Sequence, residues 1–245
     1  MSKEIIKDGL DLGHGGSDPG AVNGKRKEAD DVLKLGKAVE KYVEEKSGGK
    51  IDLQKCRQDD KTLSLSDRSS WANRNKYKAL ISLHRDSSKS KEASGATVRI
   101  QPGYLNKDAG KLAKCIAKRI KPINPGNRAD EDRIVEQNLH VLRETNMPAV
   151  LVEVGFISNS NDNKIFDNKF NDIVKAIGDG ILEYHNIKPV ENKPSNTKPT
   201  VNSSNNKETY YRVCVGSFKE KKNAEDQQAK LKSKGFDSFL VAYEK

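Results

Sequence analysis

Apolar segments of strand length alternate along the chain with segments whose apolar residues recur at helical spacing. Residues 10–12, 79–84 and 149–155 are short apolar runs, as expected of buried strands. Residues 28–46 and 107–120 repeat apolar side chains with the period of a helix, which predicts two helices that each bury one face. Strands that alternate with helices predict an α/β protein built around a mainly parallel sheet.

The remaining elements follow from the same patterning. Residues 51–56 and 95–101 are predicted strands, and residues 64–76 and 163–186 are predicted helices. Ser64 or Ser66 is expected to cap the first of these helices. Residues 121–138 contain two prolines and a glycine and are predicted to form a loop.

After residue 187 the chain changes character. Residues 188–208 are dominated by Pro, Ser, Asn and Lys, which is typical of a flexible linker. Residues 209–245 resume an alternating pattern and predict a small βαβ unit. The expected organisation is therefore one large domain over residues 1–187, a linker and a C-terminal module.

The chain is basic, with 45 Lys and Arg residues against 35 Asp and Glu residues and a formal net charge of +10. This balance suits a nucleic acid, a membrane surface or another polyanion as partner, and simple solubility explains it equally well. Charges of both signs are interspersed, and no basic block with interleaved aromatic residues occurs. The sequence therefore argues against a nucleic-acid-binding module.

Cysteine usage and the N-terminal residues bear on the cellular compartment. Cys56, Cys115 and Cys214 are too far apart for a Cys-x-x-Cys metal site and imply no disulfide framework. Residues 1–8 lack the apolar core of a signal peptide, and no apolar run reaches the length of a membrane span. We therefore expect synthesis as a soluble cytoplasmic chain without membrane insertion.

Three residues at predicted strand ends and at a helix start form a candidate metal site. His14 lies in a glycine turn directly after the first apolar run, His84 ends a second run, and Glu28 opens the first helix. Two histidines and one carboxylate are a ligand set of catalytic zinc, with the fourth position left to water. Taken singly, each has a plainer interpretation: the histidines as loop or surface residues, and Glu28 as an acid favoured by the helix dipole.

Glu153 is a carboxylate inside an apolar strand, between Val152 and Val154. Burying a carboxylate is costly, so this residue needs a partner or a chemical role. Its apolar flanks are expected to raise its pKa, which suits a group that carries a proton near neutral pH.

Four motifs in the first 187 residues occur together in one known family. Residues 11–21 read DLGHGGSDPGA, and residues 82–84 read Ser-Leu-His. Two further motifs lie in residues 63–73 and 141–156. In this order, the motifs resemble the opening segment, the second histidine motif, the second helix and the last core strand of the type 3 zinc-dependent N-acetylmuramoyl-L-alanine amidases.

The resemblance implies a fold, a cofactor and an activity. It implies a six-stranded twisted sheet flanked by helices, with zinc held at the strand ends by His14, Glu28 and His84. It also implies that the chain cleaves the amide bond between N-acetylmuramic acid and L-alanine in bacterial peptidoglycan, as an autolysin or a phage endolysin. Glu153 is expected to take a proton from water and deliver it to the leaving amine.

Two other functions fit the same residues. A zinc peptidase that acts on the stem peptide would use the same ligands, and only its products would differ. A wall-binding protein that has lost catalysis is the alternative outside the enzymes. The presence of all four candidate residues argues against loss of catalysis.

Two acidic residues depart from expectation. Asp86 stands two positions after the second histidine, where the family usually has Asn. We expect this change to alter the polarity of the rim of the site but not the metal ligands. Asp8 lies in the first strand region and is unusual for a buried strand.

In the tail, residues 211–218 and 235–237 resemble one half of a SPOR domain, a peptidoglycan-binding module. A full SPOR domain joins two such halves, so we expect the tail to bind the wall and to pair between two chains through strands 210–217 and 238–243. The alternatives are a tail that stays loosely folded and a tail that docks on its own catalytic domain.

The resemblance also bears on how the protein meets its substrate. A wall hydrolase made without an export signal reaches the wall after release by lysis, from a phage lysis system or a sporulating mother cell. The anionic teichoic acids of the bacterial wall are then the polyanion that the positive net charge would meet.

Overall fold

The computed structural model describes residues 5–129, 131–190, 216, 218–233 and 240. Its strands are β1 (Ile6–Leu12), β2 (Val22–Asn23), β3 (Arg26–Lys27), β4 (Ile51–Lys55), β5 (Leu80–Asp86), β6 (Thr97–Ile100), β7 (Ile134–Glu136) and β8 (Ala149–Phe156). Its helices are α1 (Glu28–Ser47), α2 (Leu65–Asn75), α3 (Asp108–Ile120), α4 (His140–Arg143), α5 (Ser160–Asn168), α6 (Phe170–Tyr184) and α7 (Lys221–Ser233). The chain divides into two compact units, residues 1–195 and residues 196–245.

Six strands form one sheet in the order β4-β1-β5-β8-β6-β7. The first four of these are parallel to one another. Strand β6 runs antiparallel to β8, and β7 runs parallel to β6. The prediction of an α/β protein with a mainly parallel sheet is therefore confirmed. The carboxyl ends of β1 and β5 lie side by side at one edge of the sheet, where open α/β sheets bind their ligands.

Strands β5 and β8 are buried on both faces. Ile81, Leu83 and Val150 belong to the larger apolar cluster, which includes side chains of α1, α3 and α6. Leu80 and Leu151 belong to the smaller cluster beneath α2 and α4. Successive side chains of a strand point to opposite faces, so a strand that is covered on both sides must be apolar at nearly every position.

Local signals in the sequence set the ends of two helices. Ser64, one of the two predicted capping residues, caps α2 through a reciprocal capping box with Asp67. Helix α1 ends at Gly48, whose φ of 62° is the left-handed conformation that glycine adopts at low cost. Helix α2 therefore begins where a side chain satisfies the backbone, and α1 ends where the backbone N–H of a left-handed glycine bonds to the last carbonyls.

The structure differs from the predicted elements in three places. Residues 121–138 contain the short strand β7, which is too short to produce a visible alternation. The single helix predicted over residues 163–186 is two helices, because Lys169 leaves the helical conformation with φ of −113° and ψ of 25°. The hairpin of β2 and β3 was not predicted, since each strand has only two residues.

Asp8 is fully buried in β1, and its carboxylate is in contact with a histidine. Its Oδ2 lies 2.6 Å from Nε2 of His185, which directly follows α6. This contact joins the first strand to the residue that follows α6 and gives the buried acid a hydrogen-bond partner.

The second unit contains the predicted tail helix, observed as α7. The predicted tail strands, and the predicted linker from residue 191 onward, lie almost wholly outside the described residues. The first three linker residues are described, and the Val190 N–H donates to the carbonyl of Lys46 at 2.8 Å. Across the described ranges, we find no helix with the length and apolarity that a bilayer crossing requires.

Candidate metal centre and active site

The structure brings the three predicted metal ligands together. His14 lies two residues beyond β1, Glu28 is the first residue of α1, and His84 lies near the end of β5. One nitrogen or oxygen from each side chain lies within 4.8 Å of the others. The group forms where two neighbouring parallel strands end and where α1 begins.

The Glu28 carboxylate is the centre of this group. Its Oε1 lies 3.2 Å from Nε2 of His14 and 2.9 Å from Nδ1 of His84. Backbone N–H groups of Ala21 and Arg85 also donate to the carboxylate. Burial acts to raise the pKa of Glu28, but hydrogen bonds from the two histidines outweigh it and hold the pKa well below its ordinary value. Glu28 is therefore an anion at neutral pH.

Asp18 orients the ring of His14. Its Oδ2 lies 2.8 Å from Nδ1 of His14, so the ring presents Nε2 to Glu28. Burial acts to lower the pKa of His14, and the hydrogen bonds with Glu28 and Asp18 outweigh it and raise the pKa to about 9. A carboxylate behind a metal-binding histidine is a common way to fix the ring and its tautomer. Sequence reasoning missed this role, although Asp18 stands in the same turn motif.

Two glycines leave room for the donor atoms. A Cβ on Gly13 would lie 2.3 Å from Cε1 of the His84 ring. A Cβ on Gly20 would lie 2.7 Å from both Oε2 of Glu28 and the His14 ring. The backbone therefore approaches the donor group so closely that only glycine fits. With two imidazoles and one anionic carboxylate, these residues fit a metal ion with a further position open.

Glu153 lies beside the donor group in the middle of β8. It pairs in register with His84 on β5, and it is buried. Its Oε1 is 3.4 Å from Nη2 of Arg99, whereas its Oε2 has no hydrogen-bond partner among the described residues. Burial raises the pKa of Glu153 to about 7, although the positive charges of His84 and Arg99 oppose the shift. Glu153 can therefore release and regain a proton near neutral pH.

Asp86 forms a charged rim with two arginines. Its Oδ2 accepts from Nη2 of Arg99 at 2.5 Å and lies 3.4 Å from Nη1 of Arg128. The Arg99 guanidinium thus connects Asp86 to Glu153. These two positive charges compensate the negative charge of Asp86, which stands where the resembled family usually has Asn.

Two family models together match most of the chain. Residues 9–183 match the family model described as N-acetylmuramoyl-L-alanine amidase. The chain belongs to this amidase family. Residues 192–242 match the SPOR domain, and this match begins within the range predicted as a linker.

Individual amidases support the assignment. The probable cell wall amidase LytH of Staphylococcus epidermidis ATCC 12228 is 36% identical over 180 residues, which cover 71% of this chain and 57% of that protein. The sporulation-specific N-acetylmuramoyl-L-alanine amidase of Bacillus subtilis 168 is 29% identical over 241 residues, which cover 97% of this chain and 85% of that protein. The chain thus spans little more than half the length of the LytH protein but most of the Bacillus protein.

A solved structure shares the fold of the amidase domain. The catalytic domain of CwlV, an N-acetylmuramoyl-L-alanine amidase from Bacillus (Paenibacillus) polymyxa var. colistinus, superposes with a TM-score of 0.67 at 32% identity. The superposition covers 75% of this chain and 100% of that domain. A crystal structure of an N-acetylmuramoyl-L-alanine amidase from Clostridium difficile 630 has the same TM-score at 29% identity, over 75% of this chain and 98% of that one.

Two further side chains of types that can bind metals, His140 and Cys56, lie outside the donor group. Nε2 of His140 is 3.3 Å from Oγ of Ser69, so this histidine joins α4 to α2. The thiol of Cys56 is 3.3 Å from Oδ1 of Asp11, and burial raises its pKa above the ordinary value. Among the described residues, His14, Glu28 and His84 form the only group of three or more His, Cys, Asp or Glu side chains that could hold a metal ion. These are the three ligands predicted from the sequence.

Proposed function

We propose that the chain is a zinc-dependent N-acetylmuramoyl-L-alanine amidase that cleaves the bond between N-acetylmuramic acid and L-alanine in peptidoglycan. The observation that carries this proposal is the pairing of the His14, Glu28 and His84 donor group with the buried Glu153 on the neighbouring strand. The family match over residues 9–183 supports the same reaction.

Each residue has a defined part in the proposed reaction. His14, Glu28 and His84 would hold zinc, which when bound polarises the scissile carbonyl and promotes ionisation of water. Glu153 accepts the proton of the attacking water at Oε2, the oxygen without a hydrogen-bond partner. It then donates this proton to the nitrogen of the leaving L-alanine amine. The positive charge of Arg99, 3.4 Å from Oε1, would stabilise the ionised form of Glu153.

The pKa of Glu153 suits both proton transfers. A base with a pKa near the working pH is ionised in a large fraction of molecules, and its conjugate acid still gives the proton up readily. Burial raises the pKa of Glu153 to about 7, which meets this requirement. A solvated glutamate with its ordinary pKa would be a poorer acid–base catalyst for the second step.

Analysis of the products distinguishes this proposal from its alternatives. Purified peptidoglycan is digested with the full chain and zinc, and the fragments are identified by mass spectrometry. An amidase releases intact stem peptides and leaves free lactyl groups on muramic acid. Shortened stem peptides would instead identify a zinc peptidase, and undigested wall that retains the protein would identify a non-catalytic wall binder.

The tail is the proposed wall-binding part of the molecule. The SPOR match over residues 192–242 supports binding to peptidoglycan. We also infer that the tail pairs between two chains, for which light scattering of the full chain is the test. A monomer at micromolar concentration would contradict pairing.

The route to the wall is inferred from the sequence and from one relative. The Bacillus subtilis amidase, which is sporulation-specific, aligns with 97% of this chain and includes the tail. Release by lysis, from a sporulating mother cell or during phage lysis, is the route that we propose. Immunodetection of the protein in the cell and in the medium, before and after lysis, tests it.

A further inference from the structure

Two guanidinium groups hold the backbone turn that carries His14. Arg68 donates to the carbonyl of Leu12 at 2.6 Å and to the carbonyl of His14 at 2.8 Å. Arg57 donates to the carbonyl of Leu12 and to the carbonyl of Gly13, each at 3.0 Å. The carbonyls of three consecutive residues therefore point at two arginine side chains.

The turn needs this support because its backbone is unusual. His14 has a φ of 59°, the left-handed conformation that residues other than glycine adopt uncommonly. Such a conformation is unfavourable for a residue with a side chain and persists only where the surrounding structure holds it. The hydrogen bond from Arg68 fixes the direction of the His14 carbonyl, which belongs to the peptide that follows this left-handed residue.

Arg68 is itself fixed from several sides. It projects from α2, is buried, and donates to Oδ1 of Asp11 at 2.8 Å. Asp11 in turn accepts from the hydroxyl of Ser82 at 2.6 Å, and Nε of Arg68 donates to the carbonyl of Leu63. The guanidinium thus ties the turn after β1 to α2 and, through Asp11, to β5.

We propose that Arg68 is a positioning residue for the metal centre, which keeps His14 in the left-handed conformation that turns its Nε2 toward Glu28. This inference rests on the proposed function, because it assigns Arg68 an effect on metal affinity. The planar fork of arginine reaches two carbonyls and a carboxylate at once. A lysine ammonium, as a single point of charge, cannot keep all three bonds in this geometry.

The test is zinc affinity of the full chain, measured by competition with a chromophoric chelator after the metal has been removed. We expect R68M to weaken zinc binding by about 10–100-fold, the range found when a group that orients a metal ligand is removed. We expect R68K to weaken it less, because the charge opposite Asp11 is kept. The control is L112A, a truncation in the core of α3, which lowers Tm but leaves zinc affinity unchanged.

A second measurement separates positioning from general loss of structure. R57M removes a guanidinium that bonds to the carbonyls of Leu12 and Gly13 but not to the carbonyl of His14, so it should lower Tm and weaken zinc binding less than R68M does. If R68M does not fold, R68K carries the same comparison.

The outcomes distinguish this inference from the proposed function. Wild-type protein that binds no zinc would overturn the proposed function itself. Wild-type protein that binds zinc no more tightly than folded R68M or R68K would overturn the role of Arg68 alone. Equal losses of zinc affinity in R57M and R68M would also overturn it.

Discussion

Glu153 lies directly beside His84, in register on the neighbouring parallel strand β8. One strand pairing therefore sets the distance between a proposed metal ligand and the proposed proton acceptor. A shift of one residue in this pairing would turn Glu153 to the opposite face of the sheet, because successive side chains alternate. The centre of the sheet thus holds His84 and Glu153, while the proposed ligand His14 lies in the turn after β1 and is supported by Arg68 from α2.

The first prediction separates metal binding from proton transfer. E153Q should keep zinc and lose about 10²–10⁴-fold in activity, because it removes the proton acceptor and leaves the ligands in place. H84A should lose both zinc and activity, because it opens the ligand set. Metal analysis of the purified variants and rates of peptidoglycan digestion check both statements. Digestion by E153Q near the wild-type rate would contradict the role of Glu153.

The second prediction concerns stability and pH in the metal-free protein. The pKa of Glu153 rises from its ordinary value of 4.5 to about 7 on folding, mainly because of burial. Between these values the folded state holds a proton that the unfolded chain has released. The associated stability is complete below pH 4.5 and is lost as the pH rises through about 7.

We therefore expect E153Q to be more stable than wild type at pH 8, by up to about 3 kcal/mol, and close to wild type at pH 4. Urea unfolding in excess chelator at the two pH values measures the difference. An equal effect of the substitution at both pH values would show that ionisation of Glu153 has no part in it.

The third prediction concerns the space around His84. G13A places a methyl group 2.3 Å from the ring, so the ring must move out of the donor group. Zinc affinity should fall, whereas G24A, at a glycine with nothing within 4 Å of the added methyl group, should keep it. Chelator competition compares the two variants. The φ of Gly24 is +62° and Gly13 is not among the glycines with positive φ, so the backbone strain of an added methyl group falls on the control and cannot explain a loss of zinc affinity in G13A alone.

The fourth prediction concerns Asp86, which replaces the usual Asn. Its negative charge helps to raise the pKa of Glu153, and it shares the Arg99 guanidinium with Glu153. D86N should therefore lower the pKa of Glu153 and move the acidic limb of the kcat/KM profile to lower pH. D108N, which removes a carboxylate from the exposed start of α3, is the control and should leave the profile in place. A shift to higher pH in D86N would contradict this account.

Most of the candidate site could be predicted because its residues lie in short motifs at strand ends. His14, His84 and Glu153 each follow or interrupt an apolar strand, and this local pattern is visible in one sequence. The support of the site could not be predicted in this way. Arg68 reaches His14 across 54 positions of the chain, and that contact exists only after α2 has packed against the turn.

The fold shows the same limit. Long elements with a clear period were predicted within a few residues, as for α1 and β8. Strand β7 and the break at Lys169 were missed, because both depend on packing between segments and not on a local breaker. No proline or glycine marks the break, and residues on either side of it, Phe166 and Phe170, pack edge to face at 5.6 Å.

The fifth prediction concerns the boundary of the catalytic unit. The Val190 N–H bonds to the Lys46 carbonyl near the end of α1, so the packed unit extends past residue 187. A protein of residues 1–190 should fold with the Tm of the first transition of the full chain, and residues 1–187 should unfold at a slightly lower temperature. Both should digest soluble wall fragments, because the site lies wholly within these residues. Calorimetry and fragment release measure these properties.

The same truncation tests the purpose of the tail. Binding to intact sacculi is compared in E153Q versions of the full chain and of residues 1–190, so that the wall is not digested during the assay. The full chain should sediment with sacculi at lower concentration, because a second binding module raises the effective concentration of the first at the wall. Equal binding by the two proteins would show that residues 191–245 do not target the wall, and would leave the catalytic site as the only contact with peptidoglycan.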